Sequence, residues 1–388
     1  MGWQTPAICF PRHETVSNLF LLSLSFFIIA TVPIPFAAVQ PWVWPLYGMM
    51  MIIVFVTGLW IRDPASNSHN NRYIKGISIF FIWALILCIP LPPSLLSILS
   101  PVRAAMLADT RELIGSIPNY QAISYSSREA FTWWFFLLSL GLFFQVIHYL
   151  CCEEKTVRRI VVIMIAVGIG EAIYGMVQAL VPSMGVLWVD YVQAYLGSAR
   201  GTFINRNHFA GFIEMIWPLA LGLTLSMTGR MHSIKMVLHS DRLNRQALMA
   251  LCIIVFLLTL ILTRSRAGIV SAMVGCLVFF TLARPAMQNR ERPIRIMLGA
   301  VATLLAVYTL TIGIGPVVER FFNIGVDGSS RIGIWRDSLL IVRDHPLGIG
   351  LHNYAEVVEI YNRTGIHGKT IGYAHNDYLQ LLIEAGWI

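Results

Sequence analysis

The sequence predicts an all-α fold, a polytopic bundle of transmembrane helices with about ten spans and a large extracytoplasmic loop before the last. Three observations predict it. Hydrophobic residues fill 56% of the 388 positions and charged residues 12%, against roughly 45–50% and about 25% in a soluble domain. The apolar residues lie in continuous runs of about 20 residues, the length a helix needs to cross the hydrocarbon. Lipid cannot hydrogen-bond a backbone, so such runs form helices or a closed barrel, and barrel strands would alternate over about 10 residues. The composition excludes a disordered chain, a coiled coil and a disulfide scaffold, and argues against a soluble enzyme.

In chain order the runs predict spans over 17–32, 36–61, 73–91, 130–150, 159–181, 207–228, 246–263, 266–283 and 296–315, with a tenth beginning near 375. The first is read as retained: Val32-Pro33-Ile34-Pro35 stands where a cleaved leader would carry small residues. With the N-terminus in the cytoplasm, inside segments hold 15 Lys and Arg and outside segments 13, six of these in 316–374. Long loops translocate largely regardless of charge, so the comparison is 15 against 7, and the N-in orientation follows. The net charge of +8 is therefore explained by membrane topology, and no nucleic-acid partner is expected, because the basic residues form no single patch.

The chain reads as one membrane domain, 1–388, with two long outer segments. Segment 92–129 carries Pro92-Pro93, Pro101 and Pro118 among apolar residues and is expected along the membrane surface. Segment 316–374 is the largest soluble piece. Within it 330–342 predicts an amphipathic helix with Ser330 at its N-cap and Trp335, Leu339 and Val342 on one face. The breakers His345-Pro346-Leu347-Gly348-Ile349-Gly350 end it. The six cysteines, including Cys9, Cys151 and Cys152, show no CxxC pair, and His345, His352, His367 and His375 lack zinc-ligand spacing. No metal or cofactor is expected. Gly168-Ile169-Gly170 reads as helix packing rather than a dinucleotide site.

Ionisable groups at membrane depth are costly and usually functional, and three polar groups fall at outer span ends. Around the start of the sixth span stand Arg200, Asn205, Arg206, Asn207 and His208, beside Gly201 and Gly211. Helix N-termini attract anions and arginine binds phosphate bidentately; the alternative is polar residues snorkelling to lipid headgroups. Thr263-Arg264-Ser265-Arg266-Ala267-Gly268 joins two apolar runs with almost no loop, so its arginines stay near the membrane and face an anionic substrate or lipid phosphates. His375, followed by Asn376, sits where the long loop re-enters the membrane. It is either a general base or an interfacial histidine with satisfied hydrogen bonds.

Together these stretches resemble the O-antigen ligase and O-antigen polymerase family of bacterial envelope glycosyltransferases. The resemblance rests on three stretches in order. They are Gly201-Thr202-Phe203-Ile204-Asn205-Arg206-Asn207-His208-Phe209-Ala210-Gly211-Phe212, then Ser265-Arg266-Ala267-Gly268, then His375-Asn376-Asp377-Tyr378-Leu379-Gln380-Leu381-Leu382-Ile383-Glu384-Ala385-Gly386. It is strongest from Arg200 onward, within an O-antigen ligase-like region over 196–388. Members continue with further spans after the histidine, whereas 14 residues run from His375 to Ile388.

The resemblance implies a multi-pass protein of the bacterial inner membrane with a periplasmic active site. A glycan moves from undecaprenyl pyrophosphate to an acceptor hydroxyl, without nucleotide or metal. On this reading Arg266 and Arg200 clamp the diphosphate, and Arg264 and Arg206 assist. Asn205, Asn207, His208 and Asn376 line the substrate site, and His375 deprotonates or orients the acceptor. The partners implied are the lipid-linked glycan, an acceptor glycan or lipid A-core, and membrane lipids. Polymerase and ligase lead, with a protein O-oligosaccharyltransferase of the same family or a transporter of lipid-linked glycans as alternatives.

Overall fold

The computed structural model of the protein describes residues 16–61, 72–151, 153–189, 196–227, 241–283, 325–363 and 371–387. The expected span 296–315, Cys9, Cys152 and His367 lie outside them. Among the described residues the regular structure is helical, apart from two isolated β-bridges. The helices are α1 (Val16–Thr31), α2 (Val43–Ile61), α3 (Arg72–Ile86), α4 (Pro93–Leu99), α5 (Pro101–Ile114), α6 (Ser127–Leu150), α7 (Glu154–Leu180), α8 (Arg206–Met227), α9 (Asp241–Leu262), α10 (Arg266–Ala283), α11 (Gly325–Asp344), α12 (Tyr354–Tyr361) and α13 (Asp377–Ala385). Six of the described helices are long and apolar enough to cross a membrane: α2, α6, α7, α8, α9 and α10. Leu19–Thr31 and Gly76–Ile86 are shorter apolar stretches.

Prolines decide where two of the expected runs break. The run expected from 36 becomes a 3-10 turn at Phe36–Ala38, and helix begins only at Val43. Pro33, Pro35 and Pro41 lack the N–H that a continuous helix needs, while Pro45 falls in the first turn of α2, where no partner is required. The expected span 73–91 stops at Ile86, ahead of Pro90, Pro92 and Pro93.

The chain forms two compact units, Met1–Ile61 with Phe144–Phe322, and Arg62–Phe143 with Asn323–Ile388. In the first, α8 packs against α7, α9 and α10. Phe209, Ile213, Ile216 and Ala220 of α8 are buried with Phe256 and Leu260 of α9 and Ala172 of α7. Lipid offers no hydrophobic drive for helix association, so close contact comes from small residues. A Cβ at Gly175 would come within 2.9 Å of the Phe209 ring, and one at Gly168 within 3.0 Å of Ile216. The packing expected of Gly168-Ile169-Gly170 belongs to Gly168; a Cβ at Gly170 would meet nothing within 4 Å.

In the second unit α11 packs against α12 and α13. The structure corrects the sequence reading of α11. The helix starts at Gly325, so Ser330 lies inside it and is not its N-cap. Its buried stripe is Ile334, Asp337, Ser338, Ile341 and Val342, whereas Trp335 and Leu339 stay exposed. Polar groups on that stripe are matched: Ser338 Oγ meets Tyr354 Oη at 2.8 Å, and Asp337 Oδ2 accepts from Arg363 N–H at 3.1 Å. The helix ends at Asp344, ahead of the expected breakers.

A second difference lies at α13. The run expected to open a tenth span from 375 is here a nine-residue helix closed at Gly386. All four of its last carbonyls, which a helix leaves without internal partners, are taken. Leu382 O accepts from Gly386 N–H, Ile383 O from Ile349 N–H and Glu384 O from Gly350 N–H. Ala385 O accepts from Trp83 Nε1 at 2.7 Å. Gly386 has φ 83°, and a Cβ there would run into the Leu347 carbonyl carbon at 2.5 Å. Only glycine suits both demands.

His345 closes a buried polar cluster in the same unit. Its Nε2 lies 3.3 Å from Tyr125 Oη and 3.2 Å from Tyr361 Oη, and Tyr361 Oη donates to Asp344 Oδ2 at 3.2 Å. The Arg103 guanidinium sits 4.2 Å over the Tyr125 ring. Burial pushes the His345 pKa down to about 4, helped by Arg103 and opposed by Asp344. The folded protein thus refuses a proton that an unfolded histidine accepts near pH 6.5. Stability is therefore greater above about pH 6.5 and falls as pH drops toward 4. Thermal unfolding in detergent should show this slope in the wild type and a shallower one in His345→Gln; equal slopes would remove His345 as the cause.

Candidate functional site

In the first unit two helix starts and one hairpin bring the segments that carry the expected arginines into contact. Asn205 N-caps α8, its Oδ1 accepting from Asn207 N–H at 2.9 Å. Ser265 does the same for α10, accepting from Gly268 N–H at 3.2 Å. Arg206 and Arg266 are each the first residue of their helix. A cation there opposes the helix dipole, at a cost of about 0.3–1 kcal/mol, which a bound anion would offset.

The segments that carry these residues touch. Ala199 N–H donates to Leu262 O at 2.9 Å, tying the loop before α8 to the end of α9. A Cβ at Gly197 would lie 3.5 Å from the Arg264 guanidinium. A Cβ at Gly268 would lie 2.7 Å from Ala210 Cβ and 2.9 Å from Glu214 Oε1, so α10 starts tight against α8. The four arginines differ in access. Arg200 and Arg206 are enclosed, at 1% and 8% exposure, whereas Arg264 and Arg266 are half-buried. Arg200 Nη2 donates to Met184 O at 3.4 Å and Arg206 Nη1 to Ser198 Oγ at 3.2 Å. Asn207 and His208 are exposed at the first turn of α8.

Two residues that the sequence reading passed over hold this loop in shape. Glu171 and Gln178 lie two turns apart on α7, and both are buried. Glu171 Oε2 accepts from Thr202 N–H at 2.8 Å, and its Oε1 lies 2.9 Å from the Thr202 hydroxyl, which also donates to Pro33 O at 2.7 Å. Gln178 Nε2 donates to Gly201 O at 3.0 Å, and its Oε1 accepts from Arg200 N–H at 3.2 Å. The backbone from Arg200 to Thr202 is thus gripped at three successive residues. Gly201, at φ 55°, permits the turn, and a Cβ there would collide with Glu171 Oε2 and the Phe209 ring. The available signal was a single carboxylate inside an otherwise apolar span. Glu171→Leu should lower stability by about 1–3 kcal/mol by stranding the buried Thr202 N–H. Glu171→Gln, which keeps an acceptor, should lose less. Thermal unfolding in detergent tests the order of the two.

In the second unit His375 lies on the turn that enters α13. It is exposed, and its φ is 53°, in the left-handed region. Asn376 is the N-cap of α13, its Oδ1 accepting from Leu379 N–H at 3.2 Å. Asn376 thus caps the helix that follows His375. His352, also left-handed at φ 61°, stacks on Trp133 with ring centroids 4.3 Å apart.

The family model described as O-Antigen ligase matches residues 251–388. The matched segment contains Arg264, Arg266, His375 and Asn376 and supports the O-antigen ligase and polymerase family. Arg200 and Arg206 precede it. No curated protein and no solved structure matches the chain.

Proposed function

With residues 251–388 as an O-antigen ligase domain for premise, we propose that the protein is an inner-membrane glycosyltransferase working on the periplasmic face. It moves a glycan from undecaprenyl pyrophosphate to an acceptor hydroxyl. The observation that supports the reading is that the segments bearing the four arginines meet beside two capped helix starts, one of them inside the matched segment. In the reaction a bond forms between the acceptor oxygen and the anomeric carbon. The bond from that carbon to the diphosphate oxygen breaks, and polyprenyl pyrophosphate leaves with the electron pair. His375 takes the acceptor proton. Arg266 and Arg200, assisted by Arg264 and Arg206, stabilise the charge that grows on the leaving diphosphate. Asn205, Asn207 and His208 border the diphosphate site. The donor is activated already, so the chemistry asks for positive charge, a base and alignment rather than a nucleotide or a metal.

A transporter of lipid-linked glycans is the rival. It would use charged or broken helices near the bilayer midplane. Glu171 in α7 and Pro218 in α8 have that look, but Glu171 is occupied in holding Thr202. The deciding experiment is transfer by purified protein in detergent, with a chelator present. Undecaprenyl-pyrophosphate-linked repeat is supplied alone and then with lipid A-core. Longer glycan on the carrier alone identifies a polymerase, and product only with lipid A-core identifies a ligase. Transfer to a protein hydroxyl in place of either identifies the protein O-oligosaccharyltransferase. Movement of the donor across vesicles with no new glycosidic bond refutes the enzyme.

A further inference from the structure

We infer that Gln380 and Trp335 are positioning residues that fix the turn carrying His375, an inference that rests on the reading of His375 as the acceptor base. Three observations converge on the peptide groups beside that residue. Ala374 N–H donates to Gln380 Oε1 at 3.2 Å, and Ala374 O accepts from Trp335 Nε1 at 2.9 Å. Ala374 is completely buried, while the neighbouring His375 is exposed. On the other side Asn376 is held by its own cap onto Leu379 N–H. His375 is thus suspended between two anchored neighbours. Its left-handed backbone is uncommon for a residue with a side chain, and persists where surroundings over-determine it.

The residue types follow from the geometry. Gln380 must accept from Ala374 and also donate, because its Nε2 reaches Glu384 Oε1 at 3.1 Å. An amide is the side chain that does both. Glu384 in turn accepts from His352 N–H at 2.8 Å through Oε2, so Gln380 is itself held. Trp335 is anchored from a different helix, α11, and its ring stays partly exposed while Nε1 reaches inward. A general base must meet its proton within a few tenths of an ångström. A left-handed residue released from its anchors relaxes to another backbone region and swings its imidazole away. Misplacement of about 1 Å costs about 10²-fold in rate.

The test measures kcat and KM for the undecaprenyl-pyrophosphate-linked glycan with the purified full chain, alongside amide hydrogen exchange over 371–376. Gln380→Leu should lower kcat about 10–100-fold and leave the donor KM within about twofold, because the diphosphate ligands are untouched. Exchange at Ala374 should rise. Trp335→Phe keeps an aromatic ring and loses the donor; it should lower kcat less, by about 3–10-fold on the same argument, and serves if Gln380→Leu folds poorly. Normal kcat in both variants with faster exchange at Ala374 overturns the positioning role while leaving His375 as base. A raised KM with unchanged kcat overturns it also, by placing Gln380 in donor binding. Near-normal transfer by His375→Ala overturns the base reading itself, and the positioning role with it.

Discussion

His375→Ala should lower glycan transfer about 10²–10⁴-fold, the range a positioned general base contributes, with the protein still in the membrane. The backbone provides a control that separates chemistry from folding. His375 sits at φ 53°, where asparagine and glycine are more comfortable than histidine. His375→Asn keeps a residue suited to that backbone and should still transfer poorly. The measurement is product formed from the lipid-linked donor, with thermal unfolding of the same samples. Near-normal transfer by either variant would sink the assignment of His375.

Arg266→Ala should cost about 10²–10³-fold in kcat, as expected when one donor to a developing anion is lost. Arg266→Lys should recover little, since a point charge does not replace a planar fork that binds two oxygens. The first-turn position supplies the control again. Removing a cation from the N-terminus of α10 relieves an unfavourable dipole contact, so thermal unfolding of the same samples separates lost chemistry from lost fold. Arg264 sits one residue earlier than its helix cap, with its guanidinium beside Gly197, and Arg264→Ala should lose less. Steady-state transfer across a donor titration tests both. Equal loss from the two variants would mean that the hairpin binds lipid headgroups generally rather than holding one diphosphate.

Much of the helical pattern was legible because its cause is local. The sixth span was expected from 207 and α8 begins at Arg206; the hairpin between 263 and 266 separates α9 from α10. In each case a polar cap followed by an apolar run writes the boundary into a few adjacent residues. The errors have local causes of another kind. Hydropathy alone carries the run from 36 through its prolines, and the cap-like Ser330 hides a helix start at Gly325. The buried face of α11 differs from the expected one because the apolar Trp335 is not a core residue. In fact its indole turns outward apart from Nε1, which bonds to Ala374 39 residues away.

The sequence by itself determined that the described residues are helical and carry runs apolar enough for a membrane, and that Arg206 and Arg266 stand at the starts of two such helices. Lipid forces each apolar run to satisfy its own backbone, so that outcome needs no knowledge of neighbours. Only the tertiary structure decided how those residues are held. Glu171 reaches Thr202 across 31 positions, and Ala199 reaches Leu262 across 63. Trp83 caps Ala385 across 302. The closure of α13 depends on carbonyls satisfied by Ile349, Gly350 and Trp83. Partners at such separations leave no periodic trace in the chain; they are set by which buried polar group finds which donor once the helices have packed.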